Sequence, residues 1–321
     1  MVSKTWFYTV GLFLLFCQPA EVGSAAFVTY NIGNSLTGNL VSPPERLPAL
    51  AVSGSQQEWS VGYQVRGNSS LTSFVNSPYL PALDYLSPSG TYTQAFASTH
   101  IDALILQPFL GATVRQELDA AKLLINQFRS NSINANSRVL IYATWGANDS
   151  VSFQQRWDQQ GATLDSLFSQ SSQVYDLFMQ ELRITVPNAE IIPVGHVFDA
   201  VVDKINSPDG LPGLTSVTQL IGDGVHASNA GGYLAGITAY STLYGTSPIG
   251  LDYPAGYQNP AFGFILPSSA IPIVQQIALS TVAAVPEPNS LMSIGLGLIA
   301  YASRTRHRIS KKTMCERGVI T

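Results

Sequence analysis

Two short blocks hold residue types that could do nucleophilic chemistry together. The first is Tyr30-Asn31-Ile32-Gly33-Asn34-Ser35-Leu36-Thr37. The second is Asp223-Gly224-Val225-His226-Ala227-Ser228, followed by Asn229-Ala230-Gly231-Gly232-Tyr233. A serine hydroxyl is a weak nucleophile until a base takes its proton, and an imidazole does this best when a carboxylate holds its tautomer. Asp-x-x-His lets one short loop present the carboxylate and the imidazole together. Alone, Ser35 reads as a turn serine, and Asp223 and His226 read as a cap and an incidental histidine. Together, an early serine at a strand end and a late Asp-x-x-His before a helix hold the residue types that a serine nucleophile, its base and the base's orienting carboxylate would need.

A serine so placed needs a parallel sheet, because open α/β folds collect ligands at the carboxyl edge of their strands. The chain supplies the pattern: short β-branched or apolar runs alternate with segments of helical period. The expected strands are Ala26–Ile32, Trp59–Val65, Asp102–Gln107, Arg138–Thr144 and Glu190–Val194. Leu118, Ala121, Ile125 and Phe128 recur at helical spacing, as do Leu167, Ser171, Val174, Phe178 and Leu182, so each segment has one apolar stripe to lay on the sheet. Pro43 and Pro44 after Ser42 mark a further helix start. The stretch Ser73 to Thr99, with Pro78, Pro81 and Pro88, reads as a long irregular loop, and Ser207 to Leu214 as another. Residues 245–284 are Pro- and Gly-rich and read as an extension, either a cover or a spacer. The fold expected is a three-layer α/β/α sandwich with a central parallel sheet, flavodoxin-like in style.

In this order the blocks resemble the SGNH (GDSL-like) esterase family, over residues 27–244. The resemblance implies Ser35 as nucleophile, His226 as general base and then acid, and Asp223 as the group orienting His226. Gly33-Asn34-Ser35 stands where the family has Gly-Asp-Ser, an isosteric change that removes a negative charge beside Ser35. The family's second block is a glycine whose N–H helps bind the oxyanion, and Gly67 in Arg66-Gly67-Asn68-Ser69-Ser70 matches it by position. For the third block, spelling and topology disagree. Gly146-Ala147-Asn148-Asp149 spells Gly-x-Asn-Asp but follows the fourth expected strand, whereas the block belongs after the third. At the third strand's end stands Gln107, which also offers an NH₂ donor. Topology favours Gln107 to complete the oxyanion hole, with Asn148 as its rival; Asn34, Trp145 and Asn148 would then line the substrate cleft. His196 reads as a structural histidine, and His100 has no partner in view. No spacing of a metal site and no phosphate-cradling loop is found, so no cofactor is expected.

The two ends read as addresses. Lys4, the apolar run Trp6 to Phe16 and the small residues Gly23-Ser24-Ala25-Ala26 form a signal peptide over 1–26, to be cut by signal peptidase. At the other end, Val285-Pro286-Glu287-Pro288, an apolar segment at about 291–303 and a basic cluster over 304–312 resemble the PEP-CTERM sorting signal of bacterial exported proteins. Such a tail implies transient inner-membrane association, an exosortase-type processing enzyme as partner, and a Gram-negative-type envelope. Within residues 27–285 nine Lys and Arg stand against seventeen Asp and Glu, a formal charge of −8 that argues against nucleic acid as a partner. Cys17 and Cys315 both lie in the removable ends, so no disulfide is expected in the mature domain. Phe16 before Cys17 argues against a lipid anchor. The function expected is an exported serine esterase acting on carboxylic esters such as O-acetyl groups of extracellular polysaccharide. The alternative is a surface or matrix protein that binds glycans on the same fold without turnover.

Overall fold

The structure, a computed structural model, describes residues 25–285. The signal segment, the sorting tail and both cysteines therefore lie outside the described residues. Six strands form one sheet: β1 (Phe27–Gly33), β2 (Trp59–Arg66), β3 (Asp84–Leu86), β4 (Ala103–Leu106), β5 (Arg138–Tyr142) and β6 (Glu190–Ile192), in the order β3-β2-β1-β4-β5-β6. All pairings are parallel except that of β3 with β2 at the edge. Without β3 the order is the flavodoxin-like one, with its switch point between β1 and β4, where the loops leaving the two strands diverge to open a crevice. Ile32, Leu104, Ile105 and Leu140 are fully covered because helices lie on both faces, which is why β4, and β5 after Arg138, read as unbroken apolar runs.

The helices are α1 (Ser35–Val41), α2 (Arg46–Ser53), α3 (Leu71–Asn76), α4 (Tyr92–Ser98), α5 (Val114–Arg129), α6 (Phe153–Trp157), α7 (Ser172–Thr185), α8 (Val194–Asn206), α9 (Asn229–Tyr244) and α10 (Ile271–Ala284). Helices α3, α4, α5 and α7 pack as one group, while α1, α2, α8, α9 and α10 form the other, so the sheet lies between two helical layers. Helix α9 is buried almost all round because α10 packs over it. Residues 245–285 are thus a folded cover: Gln275 of α10 donates to the Tyr233 hydroxyl and to the carbonyl of Leu251, and Ala230 N–H donates to the carbonyl of Phe264.

Three local expectations are corrected. Helix α7 begins at Ser172 with Ser171 as its cap, so Leu167 stands outside the helix and is 72% exposed. Helix α2 begins at Arg46, beyond the two prolines rather than at them. The stretch Ser73–Thr99 is ordered into the end of α3, then β3 and α4, which a Thr91–Gln94 capping box starts. The physical reason is Arg66. Its guanidinium, 3% exposed, grips both Asp84 oxygens at 2.5 and 3.0 Å, donates to the carbonyls of Ser73 and Ser77, and lies over the Phe74 ring. One buried cation thereby organises the irregular sequence around itself.

Burial pushes the Asp84 carboxyl up, but Arg66 together with the Leu80 N–H and the Gln64 amide holds it below its ordinary value. A depressed carboxylate contributes stability that is present above its unfolded pKa and is lost as pH falls through the folded one. Asp84→Ala is expected to cost about 3–5 kcal/mol, because it strands a buried guanidinium. Urea unfolding across an acid series measures this: the variant should start lower and lose less on acidification.

Candidate active site

Ser35 sits where β1 turns into α1, and the turn is held by side chains rather than by backbone alone. Asn34 caps α1, its Oδ1 accepting from Leu36 N–H at 2.9 Å. Gln107, fully buried just beyond β4, places its Oε1 where Asn34 N–H (3.0 Å), Thr37 N–H (3.1 Å) and the Thr37 hydroxyl (2.7 Å) all donate to it. Of the four amides from Asn34 to Thr37, only Ser35 N–H is left without an acceptor among the described residues. Gly33 is required by this crowding: a Cβ there would lie 2.1 Å from Thr37 Oγ1 and 2.7 Å from Gln107 Oε1.

The second block brings its two groups to the same point. Asp223 Oδ1 accepts from Val225 N–H and His226 N–H, and its Oδ2 lies 2.7 Å from His226 Nδ1. His226 Nε2 is 2.9 Å from Ser35 Oγ. Burial raises the Asp223 carboxyl, but the backbone N–H and imidazole of His226, with Val225 N–H, outweigh it and hold the group at about 2. An ionised Asp223 requires the proton on Nδ1, which leaves Nε2 as an acceptor facing the serine hydroxyl. The loop is supported from below. Trp145 stacks on Phe198 with centroids 4.8 Å apart and donates its Nε1–H to the carbonyl of Val225. Gly224, at φ +88, faces the carbonyl of Asn148, whose N–H donates to Gly224 O at 2.7 Å.

A cavity of about 380 Å³ opens beside Ser35 and His226, and Gly67 is on its wall. Gly67 is exposed, a Cβ would meet nothing there, and its N–H has no acceptor among the described residues. The expected cleft residues are placed differently. Trp145 is fully buried beneath the His226 loop, and Asn34 is buried as a cap that also reaches Ser69 O at 3.5 Å through its NH₂, a bond an aspartate could not make. Asn148 is half-buried and outside the cavity wall, with Oδ1 accepting from Phe153 N–H ahead of α6. Gln107 Nε2 has no partner among the described residues and is shielded from solvent, so the one task of Gln107 visible here is to hold the turn. His196 lies in the first turn of α8, edge-on to Trp157 and away from Ser35, while His100 sits at the surface between Ile133 O and Asp102. Among the described residues no group of three His, Cys, Asp or Glu side chains could hold a metal.

Comparison with known proteins bears on the far end of the chain and on the fold. Residues 284–307 match the PEP-CTERM protein-sorting motif. The chain is an exported, PEP-CTERM-tagged protein of the cell envelope or surface, and the motif implies processing by an exosortase-type enzyme. The match begins at the last residue of α10. A DUF4886 family protein from Bacteroides uniformis shares the fold, with a TM-score of 0.57 at 18% identity over 81% of this chain and 95% of that one. A protein from Slackia heliotrinireducens, provisionally assigned to the SGNH hydrolases, aligns with a TM-score of 0.35 at 21% identity over 66% of this chain and 96% of its own. No curated protein sequence matches the chain. Among the described residues no helix is long and apolar enough to cross a membrane; the apolar segment at 291–303 lies outside them.

One supporting residue of the tagged protein escaped sequence reasoning. Glu117 on α5 is fully buried, and its carboxylate accepts from Leu71 N–H, Thr72 N–H, the Thr72 hydroxyl and Phe109 N–H. It ties the loop that follows Gly67 to the loop that follows Gln107. Desolvation pushes its pKa up despite those four donors. The signal was present: Glu117 lies four residues before Ala121 and seven before Leu124, on the apolar stripe of α5, where an acid has no place unless it is bonded. Glu117→Gln would set an NH₂ against N–H donors, and is expected to cost about 1–3 kcal/mol in urea unfolding. Gly33→Ala is expected to cost a similar 1–3 kcal/mol by overpacking and to slow phosphonylation of Ser35, measured as the rate of labelling by a fluorophosphonate.

Proposed function

We propose that this exported protein is a serine hydrolase that cleaves carboxylic esters, with Ser35, His226 and Asp223 as its catalytic residues. The observation that carries the reading is the unbroken chain of short contacts from Asp223 Oδ2 through both ring nitrogens of His226 to Ser35 Oγ, at 2.7 and 2.9 Å. Ser35 Oγ attacks the ester carbonyl as its proton passes to His226 Nε2, and the imidazolium is steadied by Asp223. The oxyanion is received by the N–H groups of Ser35 and Gly67, which have no other acceptor among the described residues. His226 then protonates the departing alcohol, and the acyl group stays on Ser35. Water, deprotonated by His226, attacks the acyl carbonyl and releases the acid. In this reading the Gln107 NH₂ would join the oxyanion hole only after a small movement that exposes it. The catalytic unit runs from about residue 27 through the cover, after signal peptidase has removed the leader.

An exported esterase meets envelope and extracellular polymers. Tyr85 and Phe262 on the cavity wall, 72% and 47% exposed, offer faces on which a sugar ring can stack, so O-acetyl groups on polysaccharide are the proposed substrates.

Hydrolysis of p-nitrophenyl acetate and acetylated xylan tests the reading. Ser35→Ala is expected to abolish turnover, and Asp223→Asn to lower kcat by about 10⁴ through the wrong imidazole tautomer. Because Asp223 is held at about 2, it stays ionised throughout a neutral pH profile, so the wild-type rate should show no limb of its own from this carboxyl. A folded protein that turns over neither ester and resists a fluorophosphonate would instead be a glycan binder without activity.

A further inference from the structure

The cavity beside Ser35 contains a buried cation with no carboxylate at ion-pair distance among the described residues. Residues 27–285 carry almost twice as many acids as bases, yet among the described residues no carboxylate lines this cavity, and the group that does carry formal charge there is Arg46. Its side chain is buried, with the residue 4% exposed. Nε donates to Gly256 O at 2.8 Å, Nη1 to Ser42 O at 3.1 Å and Nη2 to Asn229 Oδ1 at 2.8 Å. All three acceptors are neutral, and no carboxylate lies within 4.0 Å among the described residues. The guanidinium lies over the rings of Tyr257 and Phe262, at 4.7 and 5.3 Å from their centroids.

Arg66 is the contrasting case in the same molecule. That guanidinium is as buried, also meets backbone carbonyls and an aromatic ring, and is matched by Asp84. Arg46 has the same kind of cradle without the acid. A guanidinium carries five N–H donors, and three of those on Arg46 meet acceptors among the described residues, leaving one N–H on each Nη for something else. Burial pushes its pKa down, with Tyr257, Tyr253 and the exposed neighbour Glu45 pulling the other way. Holding a desolvated charge without a partner is costly unless a ligand supplies one.

We propose that Arg46 forms an anion subsite in the ester-binding cavity, so that the substrate class is acetylated acidic sugar rather than neutral glycan. The inference rests on the reading of Ser35 as nucleophile for its ester part, and on Arg46 alone for its anionic part. The net charge of −8 across residues 27–285 does not oppose this at close range, because exposed charges are screened beyond about 8 Å at physiological salt.

The test separates binding from turnover. Galacturonate, galactose 6-sulfate and galactose are titrated by calorimetry into Ser35→Ala protein comprising residues 25–321, while p-nitrophenyl acetate turnover is read on the same chain with Ser35 intact. The expected result is that at least one acidic sugar binds about tenfold tighter than galactose, the scale of one charge-assisted hydrogen bond. That preference should shrink at high salt and vanish in Arg46→Gln, and the carboxylate and sulfate arms identify the anion. Equal or weaker binding of both acids overturns the proposal. Should Arg46→Gln not fold, the ranking and salt dependence on the parent chain decide alone. An acid preference without ester turnover keeps the subsite and removes the hydrolase; turnover without the preference does the reverse.

Discussion

The amide oxygen of Gln107 is the point on which the site depends. A parallel sheet brings the ends of β1 and β4 side by side at its switch point, but it does not say which way the chain leaves β1. Oε1 of Gln107 answers that by taking three donors from the first turn of α1. Backbone N–H groups can be met only by an acceptor, so the amide cannot flip, and the turn cannot rotate without orphaning buried donors. With Asn34 and Thr37 occupied by Gln107, and Leu36 by Asn34, the N–H of Ser35 is the one in this turn left without an acceptor among the described residues.

From that point the rest of the assembly follows by similar means. Buried polar side chains at the carboxyl edge are used as struts between loops: Glu117 joins the segments after β2 and β4, Trp145 lifts the Val225 carbonyl, and Asn229 receives Arg46. Each strut is expensive to break, because an unmet partner in a dry interior keeps its desolvation cost. The Asp223–His226 loop can thus be short and partly exposed and still meet Ser35 at hydrogen-bond distance.

Much of this was legible in the sequence, for identifiable reasons. The parallel strands are short runs rich in β-branched, aromatic and aliphatic residues, separated by segments of helical period, so their positions and type were readable. The meeting of Ser35 with Asp223-x-x-His226 was readable because a nucleophilic site would need those residue types at a strand end and before a helix. What failed depends on contacts that only the closed fold makes, among them those of single buried charges. The stretch Ser73–Thr99 looks loop-like by composition, and nothing local shows that Arg66 will gather it around Asp84. Trp145 and Asn34 were placed in the cleft because they adjoin the motifs, but adjacency does not tell which side of a loop a side chain takes. Arg46 stands in the run Pro43-Pro44-Glu45-Arg46, and its acceptors Gly256 and Asn229 come from segments that only the closed fold brings near. The cover was open between two readings because Pro/Gly composition describes spacers and tightly packed caps alike.

The most direct measurement is to label the purified protein with a fluorophosphonate and map the adduct by mass spectrometry, alongside His226→Ala. The account predicts a single modification, on Ser35, and none in the variant, since the hydroxyl is nucleophilic only while Nε2 of His226 can take its proton. Labelling at another serine, or at Ser35 with undiminished rate in the variant, would contradict it.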